Sequence, residues 1–255
     1  RDVRTSEVGN TISQRQIETL PQATRNFLEF ADTIPGMQFK INNQGVAELR
    51  SGVTNTSSTN LFIDGVSQKS YVERGGIAGQ QQSAGNPFPQ LAIGEYKVIT
   101  SNYKAEYGQI SGAAITAATR SGTNEFEGEV FYHYTDEGMR EKLPNEWNKE
   151  KGSSQIKEWG LAVGGPILKD RMHFFFAYEN KENIYAQTVQ PSAESGNVAD
   201  RLPADLRSYF GAAYVPLDED LYFAKLSWDL NERDRLELSA QYRDETQAGN
   251  IGGQD

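Results

Sequence analysis

The second half of the chain alternates apolar and polar side chains in five segments, which restricts the folds available to it. In the fifth segment Leu236, Leu238 and Tyr242 share one parity, and Glu237 and Arg243 share the other. Such period-two alternation predicts β-strands with one apolar face and one polar, charged or small face. A soluble β-sandwich and a membrane β-barrel both contain strands of this kind. The five segments cover about residues 126–135, 155–164, 171–181, 220–230 and 233–245.

The connections between the segments favour the barrel. The short stretch GPILKD joins the second and third segments, and little more than Asn231 and Glu232 joins the fourth and fifth. Longer polar stretches, residues 136–154 and 182–219, separate the other pairs. Outer-membrane barrels have this alternation of tight periplasmic turns and long extracellular loops. Because five strands cannot close such a barrel, we expect these residues to be a fragment of a longer protein.

The first half of the chain has the pattern of a mixed α+β domain. Ser13 is a helix N-cap candidate in SQRQIETLP, and a second helix is predicted in TRNFLEFADTIPGM. The strand-like pieces MQFKI, AELRS, NLFIDGV and EYKVITS follow, with a tight turn predicted at Asp64-Gly65. Residues 106–119 are then mostly Gly, Ala, Ser and Thr, which permit close approach of neighbouring backbones.

Composition excludes several classes of function. The formal net charge of -10 argues against nucleic acid as a partner, because phosphate binding needs a basic face. The absence of cysteine excludes disulfide frameworks and thiol nucleophiles. No stretch approaches the ~18 consecutive apolar residues of a membrane-spanning helix. The chain opens on RDVRTSEVGN, without Met or a signal peptide, and this start is interpreted as a processed or truncated end.

No residues form a credible catalytic, cofactor or metal site. His133 and His173 are the only histidines, and zinc needs further ligands. The acidic run 218–220 lacks the spacing of an EF-hand. Neither a phosphate-binding Gly-Lys-Ser/Thr loop nor a Gly-x-Ser-x-Gly elbow is present. We therefore expect no enzyme activity and no cofactor.

Four stretches carry a family resemblance. LPQATRNFLEFADTIPGM (20–37), LRSGVTNTSSTNLFIDGV (49–66) and IGEYKVITSNYKAEYGQISGAAITAATRSGTNEFEGEVFYHY (93–134) resemble the plug and first barrel strand of TonB-dependent outer-membrane receptors. VGGPILKDRMHFFFAYE (163–179) is similar to a strand hairpin of the Oar-like, carboxypeptidase-regulatory-like subgroup. The third stretch is the most specific, with its Glu-Tyr-Gly turn, small-residue strand and RSGTN tether.

The resemblance implies an α+β plug domain followed by antiparallel strands of a transmembrane β-barrel of about 22 strands. Residues 1–124 would form the plug, and residues 125–255 the N-terminal part of the barrel. Such a receptor lies in the outer membrane of a Gram-negative bacterium, in contact with its lipid, and passes an extracellular ligand through the plug-gated barrel. Peptide, protein or glycan is the expected ligand. Energy would come from the TonB–ExbB–ExbD complex through a TonB box upstream of residue 1.

Three sets of candidate residues follow, together with an alternative function. Plug-to-wall contacts are expected from Arg50, Asp64, Arg120, Glu129 and Glu158. The charges expected to face the barrel lumen are Glu129, Glu158, Glu179, Lys225, Glu237 and Arg243. Ligand contacts are expected from loops 42–60 and 67–89, with candidates Tyr71, Arg74, Gln80, Gln81, Gln82 and Phe88. The alternative is a secreted or surface-anchored β-rich adhesion module without transport activity.

Overall fold

The structure is a computed structural model that describes residues 8–22, 24–41, 47–52, 59–69, 83, 85–102, 107–108, 110–142, 151–189, 203 and 211–247. The chain divides into two compact units. The first consists of Arg1–Phe131, Gly160–Glu179 and Asp220–Arg243. The second consists of Tyr132–Trp159, Asn180–Glu219 and Asp244–Asp255.

The first unit contains a mixed domain, here called the plug, which ends with strand β7. Its strands are β1 (Val8–Ser13), β2 (Met37–Ile41), β3 (Ala47–Ser51), β4 (Asn60–Ile63), β5 (Val66–Ser67), β6 (Ile93–Ser101) and β7 (Ala114–Thr119). Helix α1 spans Gln14–Thr19, and two 3₁₀ helices span Phe27–Thr33 and Gln90–Ala92. Among the described residues, no helix is both long and apolar enough to cross a membrane.

The plug is built on one five-stranded sheet in the order β1-β6-β7-β4-β5, beside the separate hairpin β2-β3. All neighbouring strands run antiparallel except β4 and β7, which are parallel, with Ile63 opposite Ala117. Phe27 packs edge-to-face on Tyr96 at 5.7 Å between ring centroids. The fully buried side chains of the plug include Ile12, Phe27, Leu61, Tyr96, Val98 and Ile115.

Local sequence signals explain most plug elements. Ser13 and Gln16 form a capping box at the start of α1, as the N-cap pattern predicts. Asp64 and Gly65 both have positive φ, 47° and 82°, in the predicted turn between β4 and β5. The predicted second helix is a 3₁₀ helix, Phe27–Thr33, which Asn26 caps by accepting a hydrogen bond from the Leu28 amide. Strand β1 was not predicted, because VGNTIS lacks an alternating apolar pattern.

Five strands, here called the wall, follow the plug. They are β8 (Glu127–Asp136), β9 (Gln155–Leu168), β10 (Met172–Val189), β11 (Gly211–Asp229) and β12 (Arg235–Gln247). They form one sheet in the order β12-β11-β10-β9-β8, so each strand pairs with its sequence neighbour. Strands β10 and β11 extend further into the long connection than the alternation predicted. The predicted boundary at residue 124 falls between β7 and β8 and stays a prediction.

The wall segments of the first unit have two chemically different faces. Along β11, Leu221, Phe223 and Lys225 are buried, whereas Tyr222 and Trp228 are more than a third exposed. The exposed face carries large apolar residues, and the rings of Tyr178, Tyr222 and Tyr242 lie side by side on β10, β11 and β12, at 4.8 and 6.0 Å between centroids. The buried face carries charges and small residues, such as Glu179 and Ala177, together with a few large apolar side chains. This arrangement confirms the predicted fold class of a plug followed by antiparallel barrel strands.

The tether between plug and wall, residues 120–124, is held by backbone packing. A Cβ on Gly122 would overlap the carbonyl oxygen of Phe174 and lie 2.9 Å from that of Gly165. Asn124 forms two hydrogen bonds with the β9–β10 turn. Its side-chain amide donates to the Asp170 carboxylate at 2.6 Å, and its side-chain oxygen accepts from the Asp170 backbone amide at 2.8 Å. The same oxygen lies 2.8 Å from His173 Nε2. Glycine is therefore required where the tether crosses β9 and β10.

We expect Gly122→Ala to destabilise the packing of the tether by about 1–3 kcal/mol, because the added methyl group must displace strand backbone. Gly128→Ala is the matched control, since its Cβ would meet only the Ala162 carbonyl oxygen at 3.8 Å. The measurement is the denaturation midpoint of each full-length variant folded in the outer membrane. Equal midpoints for the two variants would contradict the assigned packing of Gly122.

Candidate functional site: contacts between plug and wall

The candidate functional site of the first unit is the set of contacts between the plug and the buried face of the wall. Three charged clusters and one aromatic cluster make these contacts, and each pairs a plug side chain with a wall side chain. Their geometry decides how firmly the plug is held.

The first cluster surrounds Lys225 of β11. Its ammonium lies 3.3 Å from Asp64 Oδ2 of the plug, and it donates to Thr119 Oγ1 at 3.1 Å. It also lies 3.5 Å from Glu237 Oε2 of β12. The Lys225 side chain is 7% exposed, so these pairings satisfy a buried charge.

The second cluster surrounds Glu179 of β10. Glu179 Oε1 accepts from the Leu91 amide at 2.6 Å and lies 3.8 Å from the Arg25 guanidinium. That guanidinium also lies over the Phe131 ring, 3.6 Å from the ring centroid, in a cation–π arrangement. Asn86 fixes the same segment by donating to the Arg25 carbonyl at 3.1 Å. Arg25 thus joins the plug to two wall strands, β8 and β10.

The third cluster lies at the start of the tether. Arg120 donates to Glu129 Oε2 at 3.0 Å and to the Leu91 carbonyl at 3.3 Å. Its guanidinium carbon is 5.1 Å from the Phe175 ring centroid. Arg120 therefore connects the last plug strand both to the wall and to the 3₁₀ helix Gln90–Ala92.

An aromatic cluster completes the contact. Phe88 of the plug packs against Phe223 of β11 at 5.1 Å between centroids, and Phe175 lies 6.4 Å from Phe223. Nearby, Arg243 of β12 donates to Ser83 Oγ at 2.7 Å. Phe88 and Ser83 thus connect the plug to β11 and β12 by an apolar and a polar contact, respectively.

Three of the five predicted contact residues lie between plug and wall, and the other two have different partners. Asp64, Arg120 and Glu129 lie in the plug-to-wall contacts described above. Arg50 instead pairs with Glu48 of its own hairpin at 2.8 Å and is half exposed, because β2 and β3 form a separate sheet. Glu158 belongs to the second unit.

Within the second unit, Glu158 contacts other wall residues. It lies 3.2 Å from His133 Nδ1 and 3.4 Å from Lys181 Nζ. His133 Nε2 in turn lies 3.1 Å from Thr135 Oγ1. These contacts link β8, β9 and β10, so Glu158 takes part in pairing of the wall strands with one another.

The predicted ligand residues fall mostly outside the described residues, namely Tyr71, Arg74, Gln80, Gln81 and Gln82. Phe88 is described and is 1% exposed, because it packs against Phe223. A ligand would reach this ring only after the plug segment had moved. Its ligand role stays a prediction, and in this structure Phe88 serves the contact between plug and wall.

Sequence reasoning found the wall charges but missed part of the plug side. Strand parity alone identifies Glu179, Lys225, Glu237 and Arg243 as residues of the lumen face. Arg25 was missed, because it precedes a 3₁₀ helix in irregular chain and no periodicity applies there. Its position next to the apolar residues of the segment TRNFLEF was the available signal, since an Arg in such a segment needs a partner when it is buried.

Outside the wall strands, three titratable groups among the described residues have shifted pKa values. Burial raises the pKa of the Tyr96 hydroxyl in the plug core, and the nearby Asp32 raises it further. Partial burial lowers the pKa of Lys69. In the second unit, the backbone amides of Glu137 and Ser154 hold the pKa of the Glu137 carboxyl below its usual value. Across the described ranges, no group of three His, Asp or Glu side chains is placed to hold a metal ion.

The comparisons with known proteins agree with this architecture. The family described as outer membrane beta barrel domain matches residues 118–198. The TonB-dependent transporter Oar of Myxococcus xanthus is 30% identical over 259 residues, which cover 91% of this chain and 23% of that protein. The chain therefore spans about a quarter of the length of this curated relative.

Two solved structures show the same fold at lower identity. The outer membrane transporter YddB of Escherichia coli matches with a TM-score of 0.68 at 16% identity, over 95% of this chain and 33% of that one. A mutant of the ferric enterobactin receptor PfeA of Pseudomonas aeruginosa matches with a TM-score of 0.64 at 15% identity, over 94% of this chain and 33% of that one. Together with the family and the Oar relative, these matches confirm the resemblance to TonB-dependent outer-membrane receptors.

We expect Arg25→Met to loosen the plug around the 3₁₀ helices Phe27–Thr33 and Gln90–Ala92. The substitution removes the cation beside the buried Glu179 carboxylate, and breaking such a buried pair costs about 3–5 kcal/mol. Arg50→Met is the matched control, because its exposed pair with Glu48 contributes at most about 1 kcal/mol. Hydrogen exchange of plug peptides in the full-length receptor measures both effects, and equal exchange in the two variants would refute the role of Arg25.

Proposed function

We propose that this chain, as part of a TonB-dependent outer-membrane receptor, belongs to a transporter that captures an extracellular ligand and passes it through a plug-gated barrel. The plug blocks the lumen and the wall strands contribute to the barrel. The TonB–ExbB–ExbD complex supplies energy by acting on a segment upstream of residue 1. No covalent chemistry is assigned to the chain, and its relatives are transporters and receptors.

One observation carries this proposal: in the first unit, a plug with its own sheet packs on the buried, charge-bearing face of wall strands whose other face is apolar and exposed. The plug has its own sheet and its own buried side chains, such as Phe27, Tyr96 and Ile115. Its contacts with the wall include ion pairs, hydrogen bonds and apolar packing against a few aromatic rings and alanines. A domain attached in this way can rearrange without unfolding the wall, which is what a gate requires.

The ligand proposed is a peptide, protein or glycan, bound by plug loops. The support is the similarity to the Oar relative together with the side chains of loop 67–89. Tyr71, Arg74, Gln80, Gln81 and Gln82 offer aromatic surface and hydrogen-bonding groups, which suit a peptide backbone or sugar hydroxyls. An adhesion module would use such loops as well, but it would have no use for a plug held inside a wall.

Single-channel conductance tests the plug-gated barrel. The full-length receptor in a planar bilayer is compared with a variant that lacks residues 1–124. We expect the intact receptor to conduct little and the plug-deleted variant to form a large, stable pore, because the lumen of a wide barrel is water-filled once it is emptied. A closed plug-deleted variant, or an intact receptor that conducts equally well, would contradict the gate.

Uptake by cells separates transport from adhesion. Cells with and without the receptor gene are given fluorescent oligopeptides from a protein digest, fluorescent oligosaccharides, or a ferric chelate, each with and without a protonophore. The proposal predicts receptor-dependent uptake of the peptide or the oligosaccharide pool, which the protonophore abolishes. Binding to cells without protonophore-sensitive uptake would support the adhesion module instead, and receptor-dependent uptake of the ferric chelate alone would overturn the ligand class.

A further inference from the structure

We propose that the Asp64–Lys225 ion pair is a latch that holds the plug closed and separates without leaving either charge unpaired. The term latch here means the contact of Asp64 with Lys225. The inference rests on the proposed gating function and names the contact at which the plug detaches from β11.

The Lys225 side of the latch is buried, whereas the Asp64 side chain is 30% exposed, so separation would ordinarily be costly for Lys225. Lys225 is 7% exposed, and Asp64 Oδ2 lies 3.3 Å from its ammonium. Removing the partner of a buried charge is strongly unfavourable, because the charge loses both water and its counter-ion. A contact of this kind opens readily only when each partner has a second counterpart that stays with it.

Asp64 has such counterparts on the plug. Its Oδ1 accepts from the Thr119 amide at 2.8 Å, and its Oδ2 accepts from the Thr119 hydroxyl at 2.5 Å. Asp64 directly follows β4 and Thr119 is the last residue of β7, and these two strands are parallel neighbours in the plug sheet. If β4 and β7 move together, the Asp64 carboxylate keeps two hydrogen bonds.

Lys225 has its counterpart on the wall. Glu237 Oε2 lies 3.5 Å from the ammonium, on the neighbouring strand β12. Glu237 is itself held by Arg235 at 3.0 Å, and Arg235 lies 3.8 Å from Asp229. The wall therefore contains a line of alternating charges that persists after Asp64 has left.

The place of the latch in the chain supports its role in gating. Thr119, which also accepts a hydrogen bond from Lys225 at 3.1 Å, is followed directly by the tether that runs to the wall. Asp64 lies in the turn directly after β4, where its φ is 47°. A shift of β4 and β7 at this point is thereby coupled to the contact with β11.

The test compares hydrogen exchange of β4, β5 and β7 peptides in the full-length receptor, without ligand and without TonB. Lys225→Met removes the latch, and we expect exchange in these strands to rise about tenfold. Lys225→Arg keeps the charge and is expected to stay within about twofold of the parent protein. Arg50→Gln is the control, because its pair with Glu48 lies within the β2–β3 hairpin.

Glu237→Gln distinguishes a latch from a merely stabilising ion pair. It deprives Lys225 of its wall counterpart, so opening becomes more costly and exchange of β4 and β7 should slow severalfold. A structural role for the whole network predicts the opposite, faster exchange on loss of a contact. Faster exchange in Glu237→Gln, or unchanged exchange in Lys225→Met, would overturn the latch.

The conservative variants keep the test decisive if Lys225→Met does not fold, since Lys225→Arg and Glu237→Gln retain charge or shape. The outcome is also independent of transport. Failure of protonophore-sensitive uptake would refute the proposed function and leave the exchange result standing. Normal uptake with unchanged exchange in Lys225→Met would refute the latch alone.

Discussion

The buried face of the wall must match a folded plug while the opposite face stays apolar, and this double requirement shapes the rest of the first unit. Period-two geometry separates the two faces, so one strand such as β11 presents Phe223 and Lys225 to the plug and Tyr222 and Trp228 to the outside. Charges on the plug side need partners, because they are withdrawn from water. The plug supplies them through Arg25, Asp64 and Arg120, and these contacts follow from the chemistry of the wall.

The two ways of fastening the plug differ in physical character. The tether is covalent and depends on the shape of its backbone, since Gly122 crosses β9 and β10 where no Cβ fits. The charged clusters are non-covalent, and the one at Lys225 divides its partners between plug and wall. The proposed gating function needs both kinds of attachment, because such a plug would have to stay with its barrel and also rearrange within it.

The wall and the plug were not equally predictable from the sequence. Alternation predicted a strand in each of the five wall regions, because a strand with two chemically different faces has a period-two sequence pattern. The end of β10 and the start of β11 lie in the connection 182–219 and were not predicted. Capping and turn signals found α1 and the turn at Asp64. Strand β1 and the pairing of Arg25 depend on tertiary contacts. The pairing of Arg50 with Glu48 was not predicted either, because no sequence signal shows that β2 and β3 form their own sheet.

The most direct test of the plug held against the wall is cross-linking between engineered cysteines, because residues 1–255 contain no native thiol. Phe88→Cys is combined with Phe223→Cys on the buried face of β11, or with Trp228→Cys on its exposed face, in the full-length receptor in outer membranes. A short bifunctional thiol reagent should join the first pair, whose native rings lie 5.1 Å apart, and leave the second pair unlinked. Equal cross-linking of both pairs, or of neither, would contradict a plug seated on the inner face of the wall.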